Sequence, residues 1–502
     1  MVPINRYFIF FAVALMNFAG SLDISIVNLG LPAIAQSLNT SLTGVQWIIT
    51  IYLLAAASLM IPAGSIGDII THKYALLLGT FIFMISTLAI GFADSVLVIT
   101  IERFIQGIGF AFSLPMSMTI AKNLFADKYK GLIIGLMSSI SGLSIAIGPV
   151  LGGIVLHYLN WSWLFWLNVP ICLFSFILAA LLIPKGTIKL HKIDYVGILL
   201  LTVSLILLIT LFNQLNHWGF NSAIFWVLLM LVILFLGCFY WYELRQIHPI
   251  LDLKILKEDH IFTIICIMRF CTQGIVYIFL FILGIYLINI SSFSSIAAGN
   301  ILLTMTLVYG VLSMFAGGLA DRYGVFWLIL VGLFCLLVGC LWFGFMGVSQ
   351  KLWLLIPPLV FVGLNMATGA NMTTLAIHAL PEDRLGSGTG VYYTLGFLGS
   401  AVFIALTGVV ITGISAQYIV NSIVTQHWML TAIQQHQLLL AAHGARPLNS
   451  LIDVFGARAN IFLILASNAF LYAFHWVMWV ASFLIVINIG LLFIIKRYLA
   501  RH

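Results

Sequence analysis

Charged residues are scarce in this sequence. Only 7% of its 502 residues are Asp, Glu, Lys or Arg, whereas about a quarter of a soluble chain is charged. Hydrophobic residues make up 63% of the chain, and the mean hydropathy is +1.18. Because so few polar residues are available to cover a soluble surface, this composition excludes a soluble globular protein and predicts an integral membrane protein.

The residues of enzymatic and metal chemistry show no recognisable pattern. All six cysteines fall in apolar stretches without metal-type spacing, so we interpret them as small core residues outside any disulfide framework. The histidines are scattered, and the sequence has no Gly-x-x-x-x-Gly-Lys-Ser/Thr phosphate loop. We therefore expect neither an enzyme nor an ATP-driven pump, and we expect no metal and no cofactor.

Long apolar runs recur along the chain. A helix that spans a membrane needs about 20 mainly apolar residues, because lipid offers no partner for an unpaired backbone group. The sequence contains about fourteen such runs. They are Phe8–Gly30, Val45–Gly67, Tyr74–Ala93, Leu97–Ala121, Leu132–His157, Leu164–Ile183, Tyr195–Leu215, Ser222–Tyr242, Ile261–Ile290, Ile296–Ala320, Val325–Val348, Leu352–Ile377, Thr389–Gly413 and Phe474–Ile495. The fold class predicted is an all-α membrane protein.

A short motif repeats at the ends of two runs. Gly64-x-x-x-Asp68 closes the second run, and Gly317-x-x-x-Asp321 closes the tenth. Such a repeat is typical of transporters built from two parallel halves around a central cavity. We predict an N-terminal six-helix bundle, an inserted two-helix segment with cytoplasmic linkers, and a C-terminal six-helix bundle. Their ranges are 1–183, 184–260 and 261–502.

The segment 414–473 is more polar than the runs around it and contains Gln434-Gln435-His436-Gln437. We predict an extended periplasmic loop with one or two helices that lie on the membrane face. An additional pair of short spans is the alternative interpretation.

The distribution of basic residues predicts the orientation. With a cytoplasmic amino terminus, most of the 21 Lys and Arg residues fall on the cytoplasmic side, as the positive-inside rule requires, so both termini are expected there. The first run is long, carries Asp23 and lacks a small-residue cleavage site, so we interpret it as an anchor and not as a cleaved signal. The net charge of +7 does not indicate a nucleic-acid partner, because the basic residues are spread over short connections.

Asp23 is the one acid in the first apolar run. A carboxylate near the bilayer centre costs roughly 2.5–3.5 kcal/mol, so it is expected to face water or a partner charge and indicates a site for a proton or cation. Arg103 in the fourth run has the same depth, roughly 10 Å below the outer surface, so the two side chains can form an ion pair. Relative motion of the two spans would then let Asp23 bind and release a proton.

Glu102 and Arg269 also lie within predicted spans. Glu102 points about 100° away from Arg103 on the same helix, and it is either a second proton or cation site or a structural partner of polar groups between spans. Arg269 either snorkels towards the headgroups or lines the cytoplasmic vestibule.

Several short segments, each a weak signal alone, occur in a specific order. They are Leu22-Asp23-Ile-Ser-Ile-Val-Asn28-Leu-Gly-Leu-Pro32, Gln46-Trp47, Tyr52-Leu-Leu-Ala, Gly64-x-x-x-Asp68 with Lys73, Glu102-Arg103-x-x-Gln106-Gly107-x-Gly109, Gly142-x-x-x-x-x-Gly148-Pro149-x-x-Gly152-Gly153, and Trp161-Ser-Trp163-Leu-Phe-Trp-Leu-Asn168-Val-Pro170. Together they resemble the fourteen-span drug:proton antiporter branch of the major facilitator superfamily. The resemblance covers nearly the whole chain.

The resemblance implies alternating access between two halves. The residues it implies for a packed gate are Gly142, Gly148, Pro149, Gly152 and Gly153, and those it implies for cytoplasmic latches are Asp68, Lys73, Asp321 and Arg322. After Asp68 the sequence departs from the family pattern, because Ile-Ile-Thr71-His72-Lys73 stands where a glycine flanked by basic residues is usual. The second copy, Asp321-Arg322-Tyr-Gly324, is nearer that pattern.

We expect a secondary active transporter that exports small amphipathic, drug-like compounds, most simply lipophilic cations, by proton antiport across a bacterial inner membrane. The residues expected to line its substrate cavity are Tyr52, Gln106, Gln273, Tyr277, Asn300, Tyr309 and Asn365. The proton gradient is its energy source, and its partners are the small-molecule substrate, protons and the lipid bilayer. A periplasmic adaptor protein is a further candidate partner, and the chain is expected to work as a monomer.

The alternatives are an exporter of a native metabolite or siderophore, a proton-coupled importer of the same fold, and a membrane receptor or scaffold without transport activity.

Overall fold

The computed structural model describes residues 3–125, 130–185, 194–218, 222–246, 259–348, 351–379 and 385–499. These residues form long helices joined by short connections. The helices are α1 (Pro3–Ser37), α2 (Leu42–Ile70), α3 (His72–Ile90), α4 (Val96–Asn123), α5 (Lys130–Tyr158), α6 (Trp163–Trp166), α7 (Asn168–Leu182), α8 (Tyr195–Trp218), α9 (Ala223–Glu243), α10 (His260–Ile285), α11 (Ser295–Tyr323), α12 (Val325–Phe345), α13 (Leu352–His378), α14 (Leu385–Thr425), α15 (Ala432–Ala442), α16 (Leu451–Phe455) and α17 (Ala459–Leu499). The predicted all-α architecture is confirmed.

The described ranges contain 13 helices that are long and apolar enough to cross a membrane, with α6 and α7 counted as one. Helix α2 has 29 residues, although its apolar stretch Gly44–Met60 is shorter, and it corresponds to the remaining predicted span. A π-helical turn, Tyr286–Ile290, continues α10. Most of the predicted linker between α9 and α10 lies outside the described residues.

Two helices extend beyond their predicted spans. Helix α14 continues to Thr425 instead of ending near Gly413, and α17 begins at Ala459 instead of near Phe474. No glycine or proline follows Gly413 within α14, so nothing in the local sequence stops the helix as it leaves the apolar stretch. The predicted loop 414–473 is therefore shorter than expected.

The connection between α14 and α17 is itself largely helical. Thr431 and Gln434 form a capping box at the start of α15, which satisfies two backbone groups at that helix end. Helix α15 packs on α17 and buries Leu438 and Ala441. Its 11 residues are too few to cross a membrane, because a span needs about 20.

The helices pack in two groups. In the first group α1 packs on α5 and α7, and α3 packs on α4; in the second, α10 packs on α14, and α12 packs on α13 and α17. Helices α8 and α9 pack on each other, and α8 also contacts α2 and α14. The division into two bundles and an inserted pair remains a prediction, with which this packing agrees.

The two predicted halves pack tightly at what we call the closed end, where α1 and α5 finish and α2 and α11 begin. A Cβ built on Gly153 of α5 would lie 2.5 Å from the carbonyl oxygen of Ser295 on α11. Near the middle of the same two helices, a Cβ built on Gly142 would lie 3.3 Å from the Cα of Gly310, which is a tight contact. At Gly153 only a residue without a side chain allows the two backbones to approach so closely.

Further hydrogen bonds at the closed end join other parts of the two predicted halves. Nε2 of Gln46 on α2 donates to the carbonyl oxygen of Ile404 on α14, at 2.8 Å. The guanidinium of Arg446, in the connection before α16, donates to Oδ1 of Asn39. These bonds tie the two halves together beyond the glycine contacts.

The repeated motif has the same backbone geometry in both copies. Thr71, after α2, has φ 84° and ψ 146°, and Gly324, after α11, has φ 86° and ψ 140°. Each residue follows the acid of its motif by three positions. Glycine adopts positive φ freely, whereas a β-branched residue is strained there. The first half therefore keeps the turn of the repeat at the cost of local strain.

Candidate functional site

An ion pair between Asp23 and Arg103 lies at the centre of the candidate site. Nη1 of Arg103 on α4 is 2.5 Å from Oδ2 of Asp23 on α1, and the two side chains are 2% and 0% exposed. The two helices can approach closely because Gly20, almost one turn before Asp23, leaves room for the ring of Phe110. A Cβ built on Gly20 would lie 2.5 Å from that ring.

Gln106 links both charges through hydrogen bonds. Its Oε1 accepts from Nη1 of Arg103 at 2.6 Å, and its Nε2 donates to Oδ1 of Asp23 at 3.1 Å. Its Nε2 also donates to Oγ1 of Thr87 on α3 at 2.7 Å. Because residues three apart share a helix face, α4 presents Arg103 and Gln106 together. The structure thus places Gln106, predicted for the substrate cavity, in the ion-pair cluster.

Two aromatic rings cover the guanidinium of Arg103. Its Cζ lies 5.0 Å from the ring centroid of Tyr52 on α2 and 5.1 Å from that of Phe165 on α6. These distances allow cation–π attraction, which is stronger when water is excluded. The Tyr52 hydroxyl is buried and has no hydrogen-bond partner among the described residues.

The ion pair is closed off from solvent. The sequence predicts that Asp23 faces water or a partner charge, and in this structure it meets a partner charge. Two opposite charges that leave water together keep favourable interactions only while they stay paired and hydrogen-bonded.

Glu102 does not join this cluster. Its side chain is partly exposed, and it makes no hydrogen bond or ion pair with any residue that the structure describes. Its neighbours on the helix, Val98, Ile101 and Ile105, are all exposed hydrophobic residues. Glu102 therefore borders the outer face of the bundle, and its role as a second proton or cation site remains a prediction.

A polar stripe on α10 lies in the other half. Arg269, Gln273 and Tyr277 are spaced four residues apart and so share one face of the helix. Tyr277 is buried, whereas Arg269 and Gln273 are partly exposed. The stripe therefore runs along α10 from Arg269 to Tyr277.

The remaining cavity candidates are dispersed. The ring of Tyr309 on α11 packs against Gly142, and the side chain is partly exposed. Asn365 is buried, whereas Asn300 is exposed. Among the described residues, no hydrogen bond or ring contact joins any of these three to Tyr52. In the described residues, no group of three or more His, Cys, Asp or Glu side chains could hold a metal ion.

Residues 13–404 match the sequence model of the Major Facilitator Superfamily. This chain belongs to the Major Facilitator Superfamily. It is 25% identical to the lincomycin resistance protein LmrB of Listeria monocytogenes over 78% of this chain and 84% of that protein. It is 28% identical to the tetracenomycin C resistance and export protein of Streptomyces glaucescens over 79% of this chain and 74% of that protein.

A solved structure of the same superfamily fold is that of a bacterial homologue of the human lysosomal transporter Spinster, in an inward-facing and unoccupied conformation. It matches with a TM-score of 0.68 over 98% of this chain and 97% of that chain, at 12% identity. At this identity the likeness concerns the fold alone. Membership of the superfamily makes this chain a multi-pass membrane transporter of a small-molecule substrate and not an enzyme.

The four residues expected to form cytoplasmic latches do not share one environment. Lys73 is buried, and its Nζ donates to the carbonyl oxygens of Ala180 at 2.7 Å and Ile183 at 2.6 Å. Lys73 thus contacts the end of α7 within its own half instead of bridging the halves, because unpaired carbonyls at a helix C-terminus attract a cation. Arg322 is exposed beside the ring of Tyr323. The side chains of Asp68 and Asp321 lie outside the described residues.

The residues implied for the gate line the interfaces of α5. A Cβ on Gly148 would meet the Ser25 hydroxyl of α1, and one on Gly152 would lie 3.2 Å from the side chain of Ile26. The carbonyl of Pro149 packs against Gly299 of α11. Helix α5 is therefore packed between α1, which carries Asp23, and α11 of the other half.

Sequence analysis missed two members of the ion-pair cluster, Thr87 and Phe165. Thr87 also donates to the carbonyl oxygen of Phe83 in its own helix, as most threonines in apolar helices do, so its sequence context gives no sign of a second role. Phe165 belongs to the Trp-rich segment of the resemblance, but an aromatic residue near a membrane interface is common.

Proposed function

We propose that this chain is a proton-coupled exporter that moves small amphipathic, drug-like compounds across a bacterial inner membrane by alternating access, acting as a monomer. The observation that carries the proposal is the solvent-excluded ion pair of Asp23 and Arg103. Ionisable residues within spanning helices are costly, and they generally mark the pathway of a substrate or a proton.

The pair gives a simple switch. While Asp23 is ionised, Arg103 and Gln106 hold it, and α1 and α4 are drawn together. A proton on Asp23 removes the charge that attracts Arg103, so this attraction weakens and the helices can separate. A cationic group of the transported compound can compete for the same carboxylate. Proton and substrate would then occupy the site in turn, which is antiport.

The position of α1 connects the switch to the gate. Ser25 and Ile26 follow Asp23 closely on α1 and pack against Gly148 and Gly152 of α5. A shift of α1 must therefore disturb the packed interface between α5 and α11. Small displacements in such packed interfaces favour one of two discrete arrangements over the other.

The closed end supports the direction of access. With both termini in the cytoplasm, as the basic residues predict, the closed end faces outwards and the site is reached from the cytoplasmic side. A relative named for lincomycin resistance and one named for tetracenomycin C resistance and export support outward movement of drug-like compounds. Asp68, Asp321 and Arg322 remain candidates for the cytoplasmic latch.

The test uses purified protein reconstituted into liposomes that contain a pH-sensitive dye, with ethidium or lincomycin as probe. Addition of a transported probe should release protons in the wild type. Asp23→Asn should abolish the exchange, because the side chain no longer ionises, while the protein still inserts and elutes as a folded species. The matched control is Asp94→Asn, which changes an exposed acid and should leave exchange unchanged.

Wild-type proton exchange in Asp23→Asn would falsify the assignment of the proton site. Direction is tested separately in inverted membrane vesicles. Proton-driven uptake of the probe into these vesicles corresponds to export from the cell. Uptake only in right-side-out vesicles would instead identify an importer of the same fold.

A further inference from the structure

Arg269 is a second charged residue deep in the helices, and the ion-pair cluster does not include it. It lies about 13 Å along α10 from the helix start at His260, at 1.5 Å per residue. Its side chain is partly exposed, and its Nε is buried without an acceptor. Among the residues that the structure describes, no carboxylate pairs with it.

The guanidinium is directed into the second half and not towards the headgroups. Its Cζ lies 5.1 Å from the ring centroid of Tyr392 and 6.0 Å from that of Tyr393, both on α14. A Cβ built on Gly396 would lie 2.9 Å from Nε, and one on Gly369 of α13 would lie 3.9 Å from Nη1. Gly396 therefore makes room for this side chain, which lies between α10, α13 and α14.

Tyrosine rings border the charge. The rings of Tyr392 and Tyr393 both lie within cation–π distance of its guanidinium. We call these two residues the tyrosine cage. Aromatic faces attract a cation, but they offer no counter-charge, and a charged residue within spanning helices usually pairs with another group or faces a water-filled cavity. Among the residues that the structure describes, this cation has aromatic surroundings and no carboxylate partner.

We propose that Arg269 and the tyrosine cage bind a carboxylate group of the transported compound. A guanidinium presents parallel N–H donors that match the two oxygens of a carboxylate, and the cage provides apolar faces for an attached aromatic ring. The Asp23–Arg103 pair is neutral as a whole, whereas Arg269 carries a net positive charge. The proposal rests on the proposed transport function and adds a carboxylate group to the features of its substrate class.

The experiment measures equilibrium binding to the purified full chain in detergent micelles. The probes are dansyl-glycine, which carries a carboxylate, and its methyl ester, which does not, and both report binding through dansyl fluorescence. The wild type should bind the acid about tenfold more tightly than the ester, which corresponds to about 1.4 kcal/mol. Arg269→Gln should lose this preference by weakening binding of the acid alone, and Arg269→Lys should keep part of it.

The matched control is Arg458→Gln, which removes an exposed arginine before α17 and should not change binding of either probe. Equal affinity of the wild type for acid and ester would overturn the proposal without any variant. So would an equal loss for both probes in Arg269→Gln, or no saturable binding of the acid up to about 1 mM. Because binding needs no proton gradient, its outcome is independent of whether Asp23→Asn abolishes exchange.

Discussion

Loss of Arg103 should destabilise the protein more than loss of Asp23, although the two residues form one ion pair. In Arg103→Gln the carboxylate stays buried and keeps only the 3.1 Å hydrogen bond from Gln106. Breaking a buried pair in this way costs about 3–5 kcal/mol. In Asp23→Asn the guanidinium keeps its 2.6 Å bond to Gln106 and the rings of Tyr52 and Phe165, so we expect a smaller loss.

The double variant, Asp23→Asn with Arg103→Gln, should be more stable than the sum of the single losses predicts. It leaves no buried charge unpaired, and neutral amides can bond to Gln106 and Thr87. We expect a coupling of about 2 kcal/mol, within the range for residues in direct contact. The opposite sign or an absence of coupling would mean that the contact adds no stability.

Unfolding by sodium dodecyl sulfate in mixed micelles, followed by tryptophan fluorescence, measures all four proteins under one condition. Asp94→Asn is the control for removal of an acid and should behave like the wild type. If the stability lost by the double variant equals the sum of the losses in Asp23→Asn and Arg103→Gln, the two residues are not coupled. That result would refute the argument that each charge is buried because of the other.

Three further predictions follow from other parts of the molecule. Thr71→Gly should raise stability by about 1 kcal/mol in the same micelle assay, since it relieves a positive φ; lower stability would show that the threonine is not strained. Gly153→Val should block transport, because its side chain would strike the backbone of α11, whereas Gly237→Val on α9 has open space at its Cβ and should not; equal transport by the two variants would contradict a packed gate. Burial of His443, with a contribution from nearby His436, lowers its pKa from 6.5 to about 4, so protonation is more favourable in the unfolded chain. Stability should thus be full above pH 6.5 and fall by at most about 3 kcal/mol as the pH drops to about 4, and His443→Gln should remove that pH dependence in an unfolding titration.

Much of the architecture could be predicted from the sequence. The apolar runs predict the spanning helices, because their length must match the thickness of a bilayer. The runs predict the ends of helices less accurately where a helix continues beyond the bilayer into water, as α14 does to Thr425. There no lipid boundary limits the helix, and only a stop signal or tertiary packing ends it.

The candidate site was only partly predictable. Asp23 and Arg103 were expected at one depth because depth along a helix follows directly from residue number. Which neighbours complete the pair depends on how each helix is rotated about its own axis, and sequence periodicity does not determine that rotation when the whole run is apolar. For this reason Gln106 was assigned to the cavity, and Thr87 and Phe165 were not assigned at all.

The sequence by itself determined that this chain crosses the membrane many times, that its halves repeat a motif, and that an acid and a base lie within its spans. These properties follow from composition and spacing along one chain. Only the tertiary structure decided that the acid and base are closed off from solvent, that Lys73 binds the end of α7, and that Arg269 lies beside tyrosines with no counter-ion among the described residues. Such properties depend on side chains from helices far apart in sequence, and their contacts exist only once those helices pack.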